Sequence, residues 1–203
     1  MPRIDGQPIK KQPPAFTALI LLTAVFAIGV SIGVMLSIIY PESVEEAFLF
    51  ISDGFLTETL GRSFIDTAVN SFTSAFTVLL LLFLLGFGAV FAPIMPLVLI
   101  YRGMGFGITL ALMYISSGVR GVLMSLFTVI PFAVLSGLIH IIACRESMRM
   151  SASIFKVSSK EGFLPVDYRL YINKFIIMCA LILIAALIQS ALSYVYILLP
   201  ISK

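Results

Sequence analysis

Tryptophan is absent from this 203-residue chain, histidine occurs once, cysteine twice, and only 11% of residues are charged. Each shortage excludes something. A single histidine, His140, and two cysteines, Cys144 and Cys179, are too few for a four-ligand Cys/His zinc site, and no zinc-type spacing occurs. No Asp or Glu lies clearly inside a long apolar run, so a carboxylate dyad of the intramembrane-protease type is missing. HExxH, GxSxG and Walker A patterns are absent, and the run GMGFG at Gly103–Gly107 lacks the Lys-Ser/Thr that a phosphate cradle needs. A lone His140 reads as a hydrogen-bonded residue near a membrane interface rather than a base or ligand. No catalytic residue, cofactor or metal is therefore expected. No basic stretch interleaves with aromatics, which argues against a nucleic-acid partner.

What is present is apolar. Hydrophobic residues make up 60% of the chain and mean hydropathy is +1.12. Several windows exceed the roughly 18 apolar residues that mark a transmembrane helix. The expected fold is all-α, a single integral membrane domain over residues 1–203 with membrane lipid as its solvent. A tail over 1–14, with Arg3, Lys10 and Lys11, precedes an uncleaved first span, Ala15–Tyr40, in which Gly29 and Gly33 form a GxxxG pair suited to close helix approach. Residues 41–70 are acidic. Ser43 and Glu46 fit a capping box, and Val44, Phe48, Ile51 and Phe55 follow at helical spacing, as in a short amphipathic helix on the outer surface. The pattern Ile65, Val69, Phe72 and Phe76 runs into a second span ending near Phe91, with Pro93 as the stop.

A turn is expected over Ala92–Arg102, then a short crossing from Gly103 to Ser116 and a tight outer turn at Ser116–Gly121. A fourth span, Val122–Cys144, carries Pro131 as a mid-helix kink. A basic cytoplasmic loop occupies 145–173, and a last span runs from Phe175 to Pro200. The tail and the stretch Arg145–Lys174 hold nine Lys and Arg, whereas the outer segments hold Arg62, Arg120 and Lys203. Five spans with the N-terminus inside and the C-terminus outside satisfy the positive-inside rule. Both cysteines then lie near the cytoplasmic side, where reduced thiols are expected.

The stretch Leu84–Gly107 stands out from the rest. Five glycines, two prolines and Arg102 interrupt an otherwise apolar block. Such punctuation frees backbone groups that lipid cannot satisfy, so the segment must pack against protein or line a polar cavity. Tight packing around a turn, with Arg102 at the cytoplasmic rim, is one reading. A broken-helix site of a small permease or transporter subunit is the other.

The run FLLGFGAVFAPIMPLVLIYRGMGFGITLAL, followed by Gly118, Gly121 and Pro131, resembles the stage II sporulation protein M family of bacterial membrane proteins. The corresponding residues are Gly86, Gly88, Pro93, Arg102, Gly103 and Gly107; Pro96 and Pro131 join them as structural or partner-contact candidates. Where the family often has Lys-Gly-Phe, this chain has Arg102-Gly103-Met104. The resemblance implies a non-enzymatic scaffold in the bacterial plasma membrane or sporulation septum. Its implied role is in engulfment, with cell wall remodelling performed by its partners, a lytic transglycosylase and an amidase/endopeptidase. Homo-oligomerisation is a further expectation.

Overall fold

The computed structural model describes residues 15–40, 64–158 and 168–198, and every element among them is a helix. The helices are α1 (Ala15–Ile39), α2 (Phe64–Leu85), α3 (Met95–Thr128), α4 (Ile130–Ser158) and α5 (Tyr168–Leu198). Each holds a stretch long and apolar enough to cross a membrane: Phe16–Ile39, Phe64–Leu85, Met95–Ile115, Ile130–Phe155 and Tyr168–Val195. The chain is a multi-pass helical membrane protein. Helices suit lipid because each satisfies its backbone groups internally. The hydroxyls in them follow the same logic, bonding carbonyls one turn back, as Thr23 does to Leu19, Ser37 to Gly33, Thr109 to Gly105 and Ser136 to Phe132.

Contact registers give each helix its direction. Gly29 and Gly33 of α1 meet Ile100 and Met104 of α3, both numbers rising together, so α1 and α3 run parallel. Phe64 and Phe83 of α2 meet Ser190 and Tyr171 of α5 in reverse order, so that pair is antiparallel. Ala75 and Gly88 pair with His140 and Ser151 of α4, which is parallel to α2. Successive helices therefore alternate in direction, as five consecutive crossings require.

The α3–α4 hairpin is made without a loop. Gly118 has φ 56 and ψ −133, a left-handed position inside the continuous α3 range. A residue with Cβ is strained there. Phe106 packs edge-on against Phe132 at 6.3 Å, twelve residues before Gly118 against fourteen after it, so the chain reverses at this glycine. The expected turn at Ser116–Gly121 has this as its pivot. Past it, Val129 N–H donates to Ser125 and Ala133 N–H to Val129, which carries helical bonding into α4. Pro131 has no N–H to continue the ladder. It therefore interrupts the return helix that runs on from Gly118 through Val129 into α4, the mid-helix break expected of it.

Three boundaries differ from the sequence expectation. Helix α2 ends at Leu85 rather than near Phe91, and the turn covers Gly86–Ile94 rather than Ala92–Arg102. Pro93 thus lies within the turn and Pro96 in the first turn of α3, where a missing N–H costs nothing. The polar stretch after Cys144 continues helix α4 as far as Ser158, and α5 begins at Tyr168. It stays helical because Ser147, Met150 and Ser151 are buried against the bundle. Phe64–Asn70 opens α2; the amphipathic helix expected from Ser43 lies outside the described residues. Cys144 and Cys179 are both free.

Candidate functional site

Leu84–Gly107 contributes to three successive features of the bundle. The first is a glycine interlock between α1 and α3, the most extensive interface in the bundle. A Cβ added to Gly29 would lie 2.5 Å from the Ile100 carbonyl oxygen, and one on Gly103 2.5 Å from that of Phe26. At Gly33 it would meet the Met104 carbonyl, and at Gly107 that of Val30. The two GxxxG pairs thus face each other's backbones. Lipid supplies no hydrophobic drive between helices, so contact at this range supplies it through dispersion instead. The face of α1 that is buried follows from this: Leu22, Gly29, Gly33 and Ser37 are buried, while most of the helix is exposed to lipid. Gly105 points away, with nothing within 4 Å of an added Cβ.

The second feature is a polar layer. Arg102 stands seven residues inside α3, not at a cytoplasmic rim. Its Nη1 donates to Ser74 Oγ on α2 at 2.9 Å, and its guanidinium lies 4.6 Å from the centre of the Phe106 ring. The Nε–H is buried without an acceptor. His140 is fully buried inside α4, deeper than an interfacial residue would be. Its Nε2 is 3.0 Å from the Ala75 carbonyl oxygen and its Nδ1 2.5 Å from that of Ser136. A neutral ring has one N–H and donates to only one of these. Ser74 and Ala75 are adjacent on α2, so Arg102 and His140 approach it at one level from α3 and α4.

The third feature fastens the turn after α2. Tyr171 Oη donates to the Phe83 carbonyl at 3.0 Å and lies 3.1 Å from Ser147 Oγ, while Ser151 Oγ donates to the Gly88 carbonyl at 2.6 Å. The Tyr171 ring stacks on Phe83 at 5.4 Å, with Phe87 and Phe175 closing the cluster. Gly86 is required because a Cβ there would meet the Tyr171 hydroxyl; one on Gly88 would meet the Phe91 ring. Beside the cluster, Lys174 Nζ donates to Glu146 at 2.6 Å and Arg149 to the same carboxylate at 3.2 Å, joining α4 to α5.

Of the residues singled out by sequence, Gly103 and Gly107 share one interface, Gly86 and Gly88 share the turn, and Arg102 stands between them. Pro131 lies apart, at the α3–α4 boundary. Sequence reasoning missed Ser74, Ser147, Ser151 and Tyr171. A faint signal existed in the i,i+4 spacings of Ser147 with Ser151 and Tyr171 with Phe175. Among the described residues no group of three His, Cys, Asp or Glu could hold a metal. Between the C-terminal end of α1 and the part of α3 just before Gly118 lies an open apolar groove lined by Val34, Ile38, Leu110 and Tyr114. Comparison with family models, curated proteins and solved structures finds no match.

Proposed function

We propose that this chain is a non-enzymatic membrane scaffold that holds partner proteins in the bilayer. The observation that carries this reading is the fate of its most punctuated stretch. Gly103 and Gly107 are consumed in backbone contact with α1, and Gly86 and Gly88 in a turn fastened by Tyr171 and Ser151. A broken helix serving transport leaves such groups facing a polar pathway; here they face other helices. The resemblance to stage II sporulation protein M supports the choice of partners: septal peptidoglycan-degrading enzymes, a lytic transglycosylase and an amidase/endopeptidase, acting in engulfment during endospore formation. The test is affinity purification of the tagged full chain from its native membranes, together with deletion of its gene in a spore-forming host. Co-purification of both hydrolases and stalled engulfment are expected. Normal engulfment in the deletion strain would sink the sporulation reading.

A small permease or transporter subunit is the second reading, favoured by Arg102 and His140 meeting at one level between α2, α3 and α4. It requires water at that level. Cysteines introduced at Ser74 and Phe106 would then react with membrane-impermeant thiol reagents, whereas the scaffold reading expects them unlabelled.

A further inference from the structure

Arg102 lacks what a charge inside a membrane normally has. Ionisable residues in spans pair with an opposite charge, with backbone carbonyls, or with water in a cavity. Arg102 has one neutral hydroxyl, one aromatic face, and an Nε–H with no acceptor. Among the described residues no carboxylate forms an ion pair with it. The guanidinium bridges α2 and α3, whose direct contact is the slightest among the packed helix pairs. Beside this seam the surface is open: Ser74, Thr77, Leu81 and Leu84 are exposed along α2, as are Leu97 and Tyr101 on α3.

Depth narrows the counter-charge. Ser74 is ten residues from Phe64 and eleven from Leu85, near the middle of α2 and about 15 Å from either end. The charged layer at the nearer membrane face is marked by Glu146, six residues beyond His140 on α4 and so about 9 Å farther out. A lipid phosphate would have to sink below that layer to reach Arg102, whereas a side chain carried on a spanning helix would not. A second copy of this chain does not fit either. Of its carboxylates in the described helices, Asp66 stands eight residues from Ser74, and Glu146 is already paired with Lys174 and Arg149.

We propose that the α2–α3 seam seats a transmembrane helix of a different protein, carrying an Asp or Glu at the depth of Ser74 that forms an ion pair with Arg102. This rests on the scaffold reading, and it supplies the contact by which a scaffold tells one membrane anchor from another. Hydrophobic helices differ little to lipid-facing surfaces. A buried charge selects the one helix that completes it and rejects those that leave it unpaired.

The test uses the full chain in phosphatidylcholine vesicles, with fluorescence energy transfer to synthetic Leu-rich helices as long as α2 that bear Asp, Asn or Leu at mid-span. The Asp helix is expected to associate about tenfold more strongly than the Leu helix, the scale of an interhelical polar contact. Arg102→Met should abolish that advantage while leaving Leu-helix association unchanged, and Arg102→Lys should retain most of it. Equal association of the Asp and Leu helices with the unmodified chain overturns the proposal, and that comparison needs no variant to fold. An Asn helix matching Asp overturns the ion pair. If phosphatidylglycerol in the vesicles erases the Asp advantage, lipid phosphate is the occupant and the proposal fails. Because the probe is synthetic, the wall-hydrolase reading fails separately, through normal engulfment in the deletion strain.

Discussion

At Gly33 and Gly107 a hydrogen atom in place of a side chain is what lets two backbones touch. Each would bring a Cβ into a carbonyl of the opposite helix, an obstacle that cannot rotate away as a side chain can. Gly33→Leu or Gly107→Leu is expected to cost about 1–3 kcal/mol or more, the range of core overpacking, and to lower the melting temperature in detergent. Gly105 is the internal control. Its surroundings are open, so Gly105→Ala should be neutral or stabilise by up to about 1 kcal/mol through helix propensity. If Gly105→Ala destabilises as much as Gly107→Leu, the interlock is not what holds α1 to α3. Tyr171→Phe makes a second test at this scale. It keeps the stacked ring and removes the donor to Phe83, a carbonyl at the helix end with few alternatives, so a loss of about 1–2 kcal/mol is expected. Thermal unfolding of the two proteins side by side measures it.

Among elements, the hairpin between α3 and α4 depends on one residue. Gly118 holds φ 56, a conformation that costs an L-residue roughly 1–2 kcal/mol. Nothing lies within 4 Å of a Cβ there, so the cost of Gly118→Ala is conformational rather than steric. That variant should unfold at lower temperature by about that energy. Equal stability of Gly118→Ala and the unmodified chain would show that the hairpin does not turn on this glycine. The α2 end shows why its boundary was illegible in sequence. Apolar residues continue through Phe91, and a glycine such as Gly86 occurs inside membrane helices as well as at their ends, so by itself it does not mark the stop at Leu85. Two other helices then hold the turn, Tyr171 donating to the Phe83 carbonyl and Ser151 to that of Gly88, with Ser147 bonded to Tyr171. The expected turn placed Arg102 at a rim for the same reason. With the true turn nearer the chain start, α3 begins at Met95 and carries Arg102 inside.

For the molecule as described, the alternating directions of its five helices put Ala15 and Leu198 on opposite sides of the membrane. The basic N-terminal tail and the stretch Arg145–Lys174 assign the N-terminus to the cytoplasm. An alkaline phosphatase fusion at the C-terminus should therefore be active, and a fluorescent protein there dark. The reverse result would mean an even number of crossings or an inverted orientation. The helix count, the apolar lengths and this parity were legible because they depend on composition alone. Lipid tolerates a charge-free run of about 20 residues as a helix and little else. The GxxxG at Gly29 was legible for a similar reason, since only small residues permit such approach. Which backbone each glycine would meet, how deep Arg102 lies, and what Tyr171 fastens were decided by tertiary structure. Those contacts join residues up to 88 positions apart, as Tyr171 and Phe83 do. No local pattern encodes such a pairing, because either partner alone would be an ordinary residue in an ordinary membrane helix.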